Sequence, residues 1–193
     1  MYSDSIIKNF RSYVDFQQKE LDAFFDLAHY QKFKKNEMLF ESGPGSCPFI
    51  LIKSGCLMTY FTGEKDFIHV IQFGIENWWT GDLNSFMQEE ASIYSIKAMA
   101  NTEVYILGKK EFESLCAKFP NFEKYFRILF QNSLVSHQKR IIRNISFTAE
   151  EKYLTFTQNF GKLELILPQK YIASYLGITP EFLSMIRRKL AGR

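Results

Sequence analysis

Glu181, Ser184, Met185 and Arg188 recur at separations of three, four and seven residues, which places them on one face of a helix. A carboxylate, a hydroxyl, a thioether and a guanidinium on one open helical face can read base-pair edges. Arg187 and Lys189 flank that face, where phosphates would lie. Glu181 can accept a hydrogen bond from a cytosine amino group, and Met185 can offer apolar contact to a thymine methyl. The bland reading of the same residues is a solvated basic helix in a structural helix pair.

Such a face needs elements that hold it out, and "LPQKYIASYLGITPEFLSMIRRKL" (167–190) supplies them. The spacing predicts a short helix over 169–176 with Ile172 and Leu176 buried, and Ala173 is small enough for a close helix crossing. Gly177 suits the positive φ of a tight turn, and Ile178 is an apolar plug within it. Thr179 offers an N-cap hydroxyl, Pro180 fits the first helical position, and Glu181 lies at the positive end of the helix dipole. Leu183, Ile186 and Leu190 form the buried stripe of the second helix. The pattern is that of a helix-turn-helix. The DNA-contact candidates are Gln169, Thr179, Glu181, Ser184, Met185, Arg187, Arg188 and Lys189.

Charge agrees. The last 57 residues carry ten Lys or Arg against four Asp or Glu, a net +6, whereas the first 136 carry −3, within a whole-chain balance of +3. A basic end on a mildly acidic body points to a polyanion. Cys47, Cys56 and Cys116, and His29, His69 and His137, are scattered, with no C-x-x-C or H-E-x-x-H pattern, so no metal site is expected. The longest aliphatic run, "FILI" (49–52), is far below the ~20 residues of a membrane helix. The first 16 residues lack the apolar core of a signal peptide. A cytoplasmic protein without membrane contact is expected.

Three segments are legible. Residues 1 to about 31 open with a short helical pattern. From 33 to 107, short apolar runs broken by Gly, Pro, Ser or charged residues recur every 8 to 12 positions, the rhythm of an all-β barrel or sandwich. The strand reading continues through "SIYSIKAMANTEVYILGKKEF". After Pro120 the period is helical again over roughly 121–144, and "FTAEEKYLTF" carries a Thr148–Glu151 capping box. The expected divisions are 1–119, 120–145 and 146–193.

"EMLFESG", "FILIKSGCLMTYF", "GDL" (81–83) and "IASYLGITPEFLSMIRRKL" together resemble the Crp/Fnr family of bacterial transcription regulators. The style of "SYLGITPE" is similar to members from the Bacteroidetes lineage. The resemblance implies an α+β chain: an N-terminal double-stranded β-helix (a cyclic-nucleotide-binding-like β-roll), a long dimerisation helix, and a C-terminal winged helix-turn-helix. It implies a homodimer on double-stranded DNA with half-sites about 34 Å apart. RNA polymerase and an unidentified small-molecule effector are the further partners it admits. The wing is expected in "GKLELIL" (161–167). Family members often carry Glu, Ser and then Arg on the reading helix; Glu181 and Ser184 match, and Met185 stands in the arginine position.

The effector pocket departs further. The resemblance places candidates at Gly81, Asp82, Leu83, Ser92 and Ile93. Asp82 occupies the position of a ribose-holding glutamate, and Ser92 that of the arginine that pairs with a cyclic phosphate. No arginine occurs from Tyr13 to Tyr125. A serine, or nearby Lys97, is no substitute for a bidentate guanidinium, so cyclic AMP is not expected to bind. Trp78, Trp79 and Phe86 either line a pocket for another ligand or fill the core. The cofactor is unknown: no cysteine precedes Cys47 to build an iron–sulfur cluster, and His69 alone does not make a haem site. No catalytic motif is present, so an enzyme is not expected. The competing reading is a ligand-binding or protein-interaction module that has lost specific DNA binding.

Overall fold

The structure is a computed structural model that describes residues 3–192. Contacts between Cα atoms group the chain into two compact units. One runs to Thr59 and resumes over Phe73–Asn132; the other comprises Tyr60–Gln72 and everything from Ser133.

The first unit opens with α1 (Asp4–Tyr13) and α2 (Gln18–Leu27). Ile6 and Phe10, four residues apart, form the buried face of α1, and Leu21, Phe24 and Phe25 that of α2. Strands β1 (His29–Phe33), β2 (Met38–Phe40), β3 (Phe49–Ser54), β4 (Cys56–Thr62), β5 (Ile68–Ile75), β6 (Trp79–Thr80), β7 (Ser95–Ala98) and β8 (Thr102–Leu107) follow. They form two four-stranded sheets ordered β1-β8-β3-β6 and β2-β7-β4-β5. β8 pairs antiparallel with both β1 and β3, with Ile50 opposite Ile106 and Leu51 opposite Tyr105. α3 (Leu83–Gln88) lies between β6 and β7 in sequence.

Side-chain alternation makes the first sheet serve two cores. Phe49 and Leu51 of β3, with Tyr105 and Leu107 of β8, pack with α1 and α2. Their neighbours Ile50, Ile52 and Val104 pack with Leu57 of β4 and with Ile96 and Ala98 of β7. Because successive residues of a strand point to opposite faces, a sheet covered on both faces requires an uninterrupted apolar run, which "FILI" provides. The helix-side core is aromatic: Phe49 stacks on Trp79 at 4.5 Å, and Phe24 meets Phe10 edge-on at 5.0 Å. Trp79 Nε1 donates to the Tyr125 hydroxyl at 3.0 Å. Trp79 and Phe86 therefore fill this core, whereas Trp78 is exposed.

The strand reading of "GKKEF" (108–112) is corrected. Gly108 N-caps α4 (Lys109–Lys118), which directs Phe112, Leu115 and Cys116 inward at helical spacing. α5 (Pro120–Ser146) has 27 residues, about 40 Å of helix, and exceeds the expected span at both ends. In the first unit it buries Phe122, Tyr125 and Phe126. Burial pushes the thiols of Cys47 and Cys116 up to about 11 and that of Cys56 to about 12, so all three stay protonated at neutral pH. Among the described residues, no group of three His, Cys, Asp or Glu could hold a metal, and no helix is long and apolar enough to cross a membrane.

The second unit contains the end of α5, α6 (Ala149–Glu164), α7 (Gln169–Leu176), α8 (Pro180–Ala191) and residues 60–72. Val70, Tyr153, Phe156, Leu163, Leu167, Ile172, Ala173, Leu176, Leu183 and Ile186 are among its buried apolar side chains. Leu190, expected inside, is half-buried. The wing expected in 161–167 is not formed there: 161–164 is the last turn of α6, and the following residues form turns. Leu163 and Leu167 are buried while Leu165 between them is 88% exposed, so the segment obeys the helical period rather than the strand period, which would put all three on one face. Among the described residues no strand follows α5. Arg193 lies outside them.

At the surface of the first sheet, Glu103 accepts hydrogen bonds from Lys53 at 2.7 Å and Tyr30 at 2.6 Å, and pairs with Lys32 at 3.2 Å. Lys53 first, then Tyr30, hold its carboxyl down at about 2 against an ordinary 4.5. A depressed carboxylate contributes stability that is complete above its ordinary range and lost as pH falls through its folded value. In urea titrations, the advantage of wild type over Glu103→Gln should be constant above pH 5 and should close between 4.5 and 2. Solvent screening keeps the whole effect to about 1 kcal/mol or less.

Candidate nucleic-acid interface and effector pocket

Local chemistry fixes the second unit's helices. At α6 the capping box is present: the Thr148 hydroxyl accepts from Glu151 N at 3.3 Å, and Glu151 Oε2 accepts from Thr148 N at 2.8 Å. α7 ends at Gly177, with φ 70° and ψ 35°. There Ile178 N donates to Ala173 O at 3.0 Å and Gly177 N to Ser174 O at 3.1 Å, the paired bonds of a left-handed helix cap. Thr179 then caps α8, its hydroxyl accepting from Phe182 N at 3.2 Å. Pro180 stands at the start of that helix. A helix, a glycine turn and a second helix are thus set by three consecutive local signals.

The candidates on and around α8 divide into two groups. Gln169 Nε2 donates to Pro180 O at 2.7 Å and to the Ser184 hydroxyl, tying the start of α7 to α8. Arg187 Nη2 lies 2.9 Å from Glu164 Oε1, and its guanidinium rests 5.7 Å from the centre of the Tyr153 ring. The Tyr153 hydroxyl donates to the same carboxylate. Arg187 is thus paired across α8 and α6 in this structure. Lys189 pairs with Glu150 in a surface contact, its side chain 57% exposed. An exposed pair of this kind is worth at most about 1 kcal/mol and exchanges partners readily.

Glu181, Met185 and Arg188 remain on the open side, all exposed. Phe182, 43% exposed, joins them. It was not singled out from the sequence, although it is apolar and lies off the buried 183/186 stripe, the signal that could have marked it. Exposing Phe182 and Met185 beside each other costs apolar hydration that the core does not recover.

The effector-pocket candidates divide as well. Leu83 and Ile93 are exposed, at 45% and 67%, so the structure does not place them in an enclosed site. Asp82 and Ser92 are brought together in the interior: Ser92 Oγ donates to Asp82 Oδ2 at 2.9 Å, while Asp82 Oδ1 accepts from Ser85 N at 3.2 Å as the N-cap of α3. Gly81 has φ 151°, and an added Cβ would lie 2.8 Å from Pro48 O. The backbone there passes too close for any side chain. Ser85 is the hub that sequence spacing missed: its hydroxyl accepts from Cys47 N at 2.8 Å and donates to Glu90 O at 2.7 Å. Ser92 also pairs with Gly43 through both backbone bonds. The contacts to Cys47 and Gly43 join residues 38 and 49 apart, which no local motif reveals. The Asp82 carboxylate accepts hydrogen bonds from Ser85 N and Ser92 Oγ within the chain, and the Asp82–Ser92 pair itself carries no cation.

Residues 30–119 match the family model of the cyclic nucleotide-binding domain. Among solved structures, FixK2 from Bradyrhizobium japonicum is similar at 16% identity and a TM-score of 0.73, over 86% of this chain and 85% of that one. A Crp/Fnr-family protein from Eubacterium rectale is similar at 16% identity and a TM-score of 0.72, over 92% and 84%. The catabolite activator protein of Thermus thermophilus is similar at 16% identity and a TM-score of 0.60, over 95% and 87%. No curated protein sequence matches the chain. The chain carries a cyclic-nucleotide-binding-like β-roll followed by a long helix. Its fold is similar to those of these solved structures.

Removing the Ser92 hydroxyl strips one donor from a carboxylate that is only 7% exposed. Ser92→Ala should lower unfolding free energy by about 1–3 kcal/mol, the cost of a buried acceptor left unmade, read from urea midpoints. Asp82→Asn combined with Ser92→Ala should then cost less than the sum of the single changes. Full additivity would mean that the pair is not coupled.

Proposed function

We propose that this protein is a homodimeric, sequence-specific DNA-binding transcription regulator of the Crp/Fnr type, acting in the cytoplasm, whose β-roll does not take cyclic AMP. The observation that carries the reading is α8: Glu181, Met185 and Arg188 stand open in one line, while Gln169, Ser184 and Arg187 are engaged in holding that helix in place. In this reading residues 1–119 are the effector domain, 120–145 the dimerisation helix and 146–193 the DNA-binding domain. Glu181 and Met185 read base edges, and Arg188, with Lys189 released from Glu150, meets phosphates. The effector, where one acts, is a small molecule other than a cyclic nucleotide.

The dimer is supported by the exposed side of α5. Leu134 and Ile141 are seven residues apart, as are Val135 and Ile142, and Ile145 extends the stripe at 81% exposure. A heptad-spaced aliphatic stripe left in water is the seam of a coiled coil, and a partner helix recovers about 1.5–3 kcal/mol per side chain. Ile142→Glu with Ile145→Glu should convert a dimer to a monomer in analytical ultracentrifugation. A variant that sediments as a dimer places the interface elsewhere.

DNA reading is tested by selecting bound duplexes from a random library at physiological salt. The expected product is an inverted repeat with half-sites one helical turn apart. Glu181→Ala should relax base preference while leaving non-specific affinity nearly intact, and Arg188→Ala should weaken binding to all sequences. Recovery of random sequence that neither change alters would assign the chain to a module without readout. Calorimetry with cyclic AMP should show no specific heat; micromolar binding would overturn the argument from Asp82 and Ser92.

A further inference from the structure

A second concave site lies within the C-terminal unit, and none of its lining residues belongs to α8. The last turns of α5 contribute Arg140, Arg143 and Asn144, and α6 contributes Lys152 and Asn159. No acidic residue lines it. Each of its three cations is held by neutral carbonyls: Arg140 donates to Ile71 O and Val70 O, Arg143 Nε to Lys139 O at 3.2 Å, and Lys152 Nζ to Asn144 O at 3.0 Å. Arg187 and Lys189 of the same unit, by contrast, have carboxylate partners.

All three cations are half-buried, and beneath them Phe156, Phe160 and Tyr175 pack ring to ring with centroids 5.4 to 6.2 Å apart. An apolar floor under uncompensated positive charge focuses the field on the opening. Arg140 is pinned by its stack on Tyr175, 4.5 Å from the ring centre. Arg143 keeps both terminal nitrogens and Lys152 two of its three protons for another acceptor. The open space is about 40 Å³. One water needs roughly 10–15 Å³ of such space, so the cleft has room for a small oxyanion.

We propose that this cleft is a phosphate site, in which Arg143 grips the oxyanion with its fork, Lys152 closes on it and Arg140 supplies fixed charge. The phosphate comes either from the DNA backbone, an arm that rests on the DNA reading above, or from a free phosphate or small phosphate monoester. Inorganic phosphate, titrated into the full-length protein at constant ionic strength and followed by amide NMR, tests the site without DNA. Saturable shifts confined to 140–144 and 152–160 are expected, with affinity at least tenfold weaker in Arg143→Gln/Lys152→Gln and severalfold weaker in Arg143→Lys, which keeps the charge and loses the fork. Absence of saturable shifts in wild type, or identical shifts in the double variant, overturns the proposal.

The source is then assigned by measuring affinity for a fixed duplex against salt. A slope shallower by about one in the double variant assigns the site to a DNA phosphate. An unchanged slope, with the NMR response intact, assigns it to a free phosphate.

Discussion

An ion held away from water without a partner is costly, and that cost decides which side chains of this protein remain available to anything outside it. Asp82 has left water and is held by Ser92 and the first turn of α3. Glu20, also buried, accepts from Gln17 N and from Asn121 of α5. Glu164 is matched to Arg187 of α8. In each case the charge is resolved inside the chain and the group serves architecture. The exceptions stand out against this pattern: Arg188 on the open face of α8, and Arg140, Arg143 and Lys152 around their cleft.

The same constraint explains how a cyclic-nucleotide-binding-like β-roll can keep its shape with a different site. The roll is held by the alternation of β3 and β8 between two apolar cores, and neither core draws on Asp82 or Ser92. Asp82 and Ser92 are bonded to each other in the interior, with Ser85 and Gly43 completing the network. Fold and ligand chemistry are thus separable in this domain, as they are in general.

Legibility in the sequence followed the range of the interaction. The Thr148 capping box, the Gly177 turn and the Thr179–Pro180 start of α8 are each decided within five residues, and each was readable. α4 was misread because its apolar residues, Phe112, Leu115 and Cys116, are few and follow directly on a strand. The wing was misread because "GKLELIL" alternates like a strand, although Leu163 and Leu167 also satisfy a helical separation of four. Arg187 looked like a phosphate ligand because its partner, Glu164, stands 23 positions earlier in the sequence. The Ser85 hub was invisible for the same reason. Local rules identify elements; pairing at a distance decides which charges those elements leave over.

That remainder gives the +6 of the C-terminal stretch a shape. Two of its ten cations are neutralised by α6 carboxylates, so the charge that acts outward is neither spread evenly nor concentrated on α8 alone. Part of it stands on α8 beside the exposed apolar pair Phe182 and Met185, a combination that the proposed DNA reading would set against base edges bearing methyl groups. Part lies over a floor of aromatic rings, where the low-dielectric surroundings strengthen its attraction for an anion and weaken its screening by salt. A polyanion meeting this unit would find one face that discriminates by contact and one that holds by charge. That division of labour is what a sequence reader needs, because phosphate contacts fix register and only base contacts carry information.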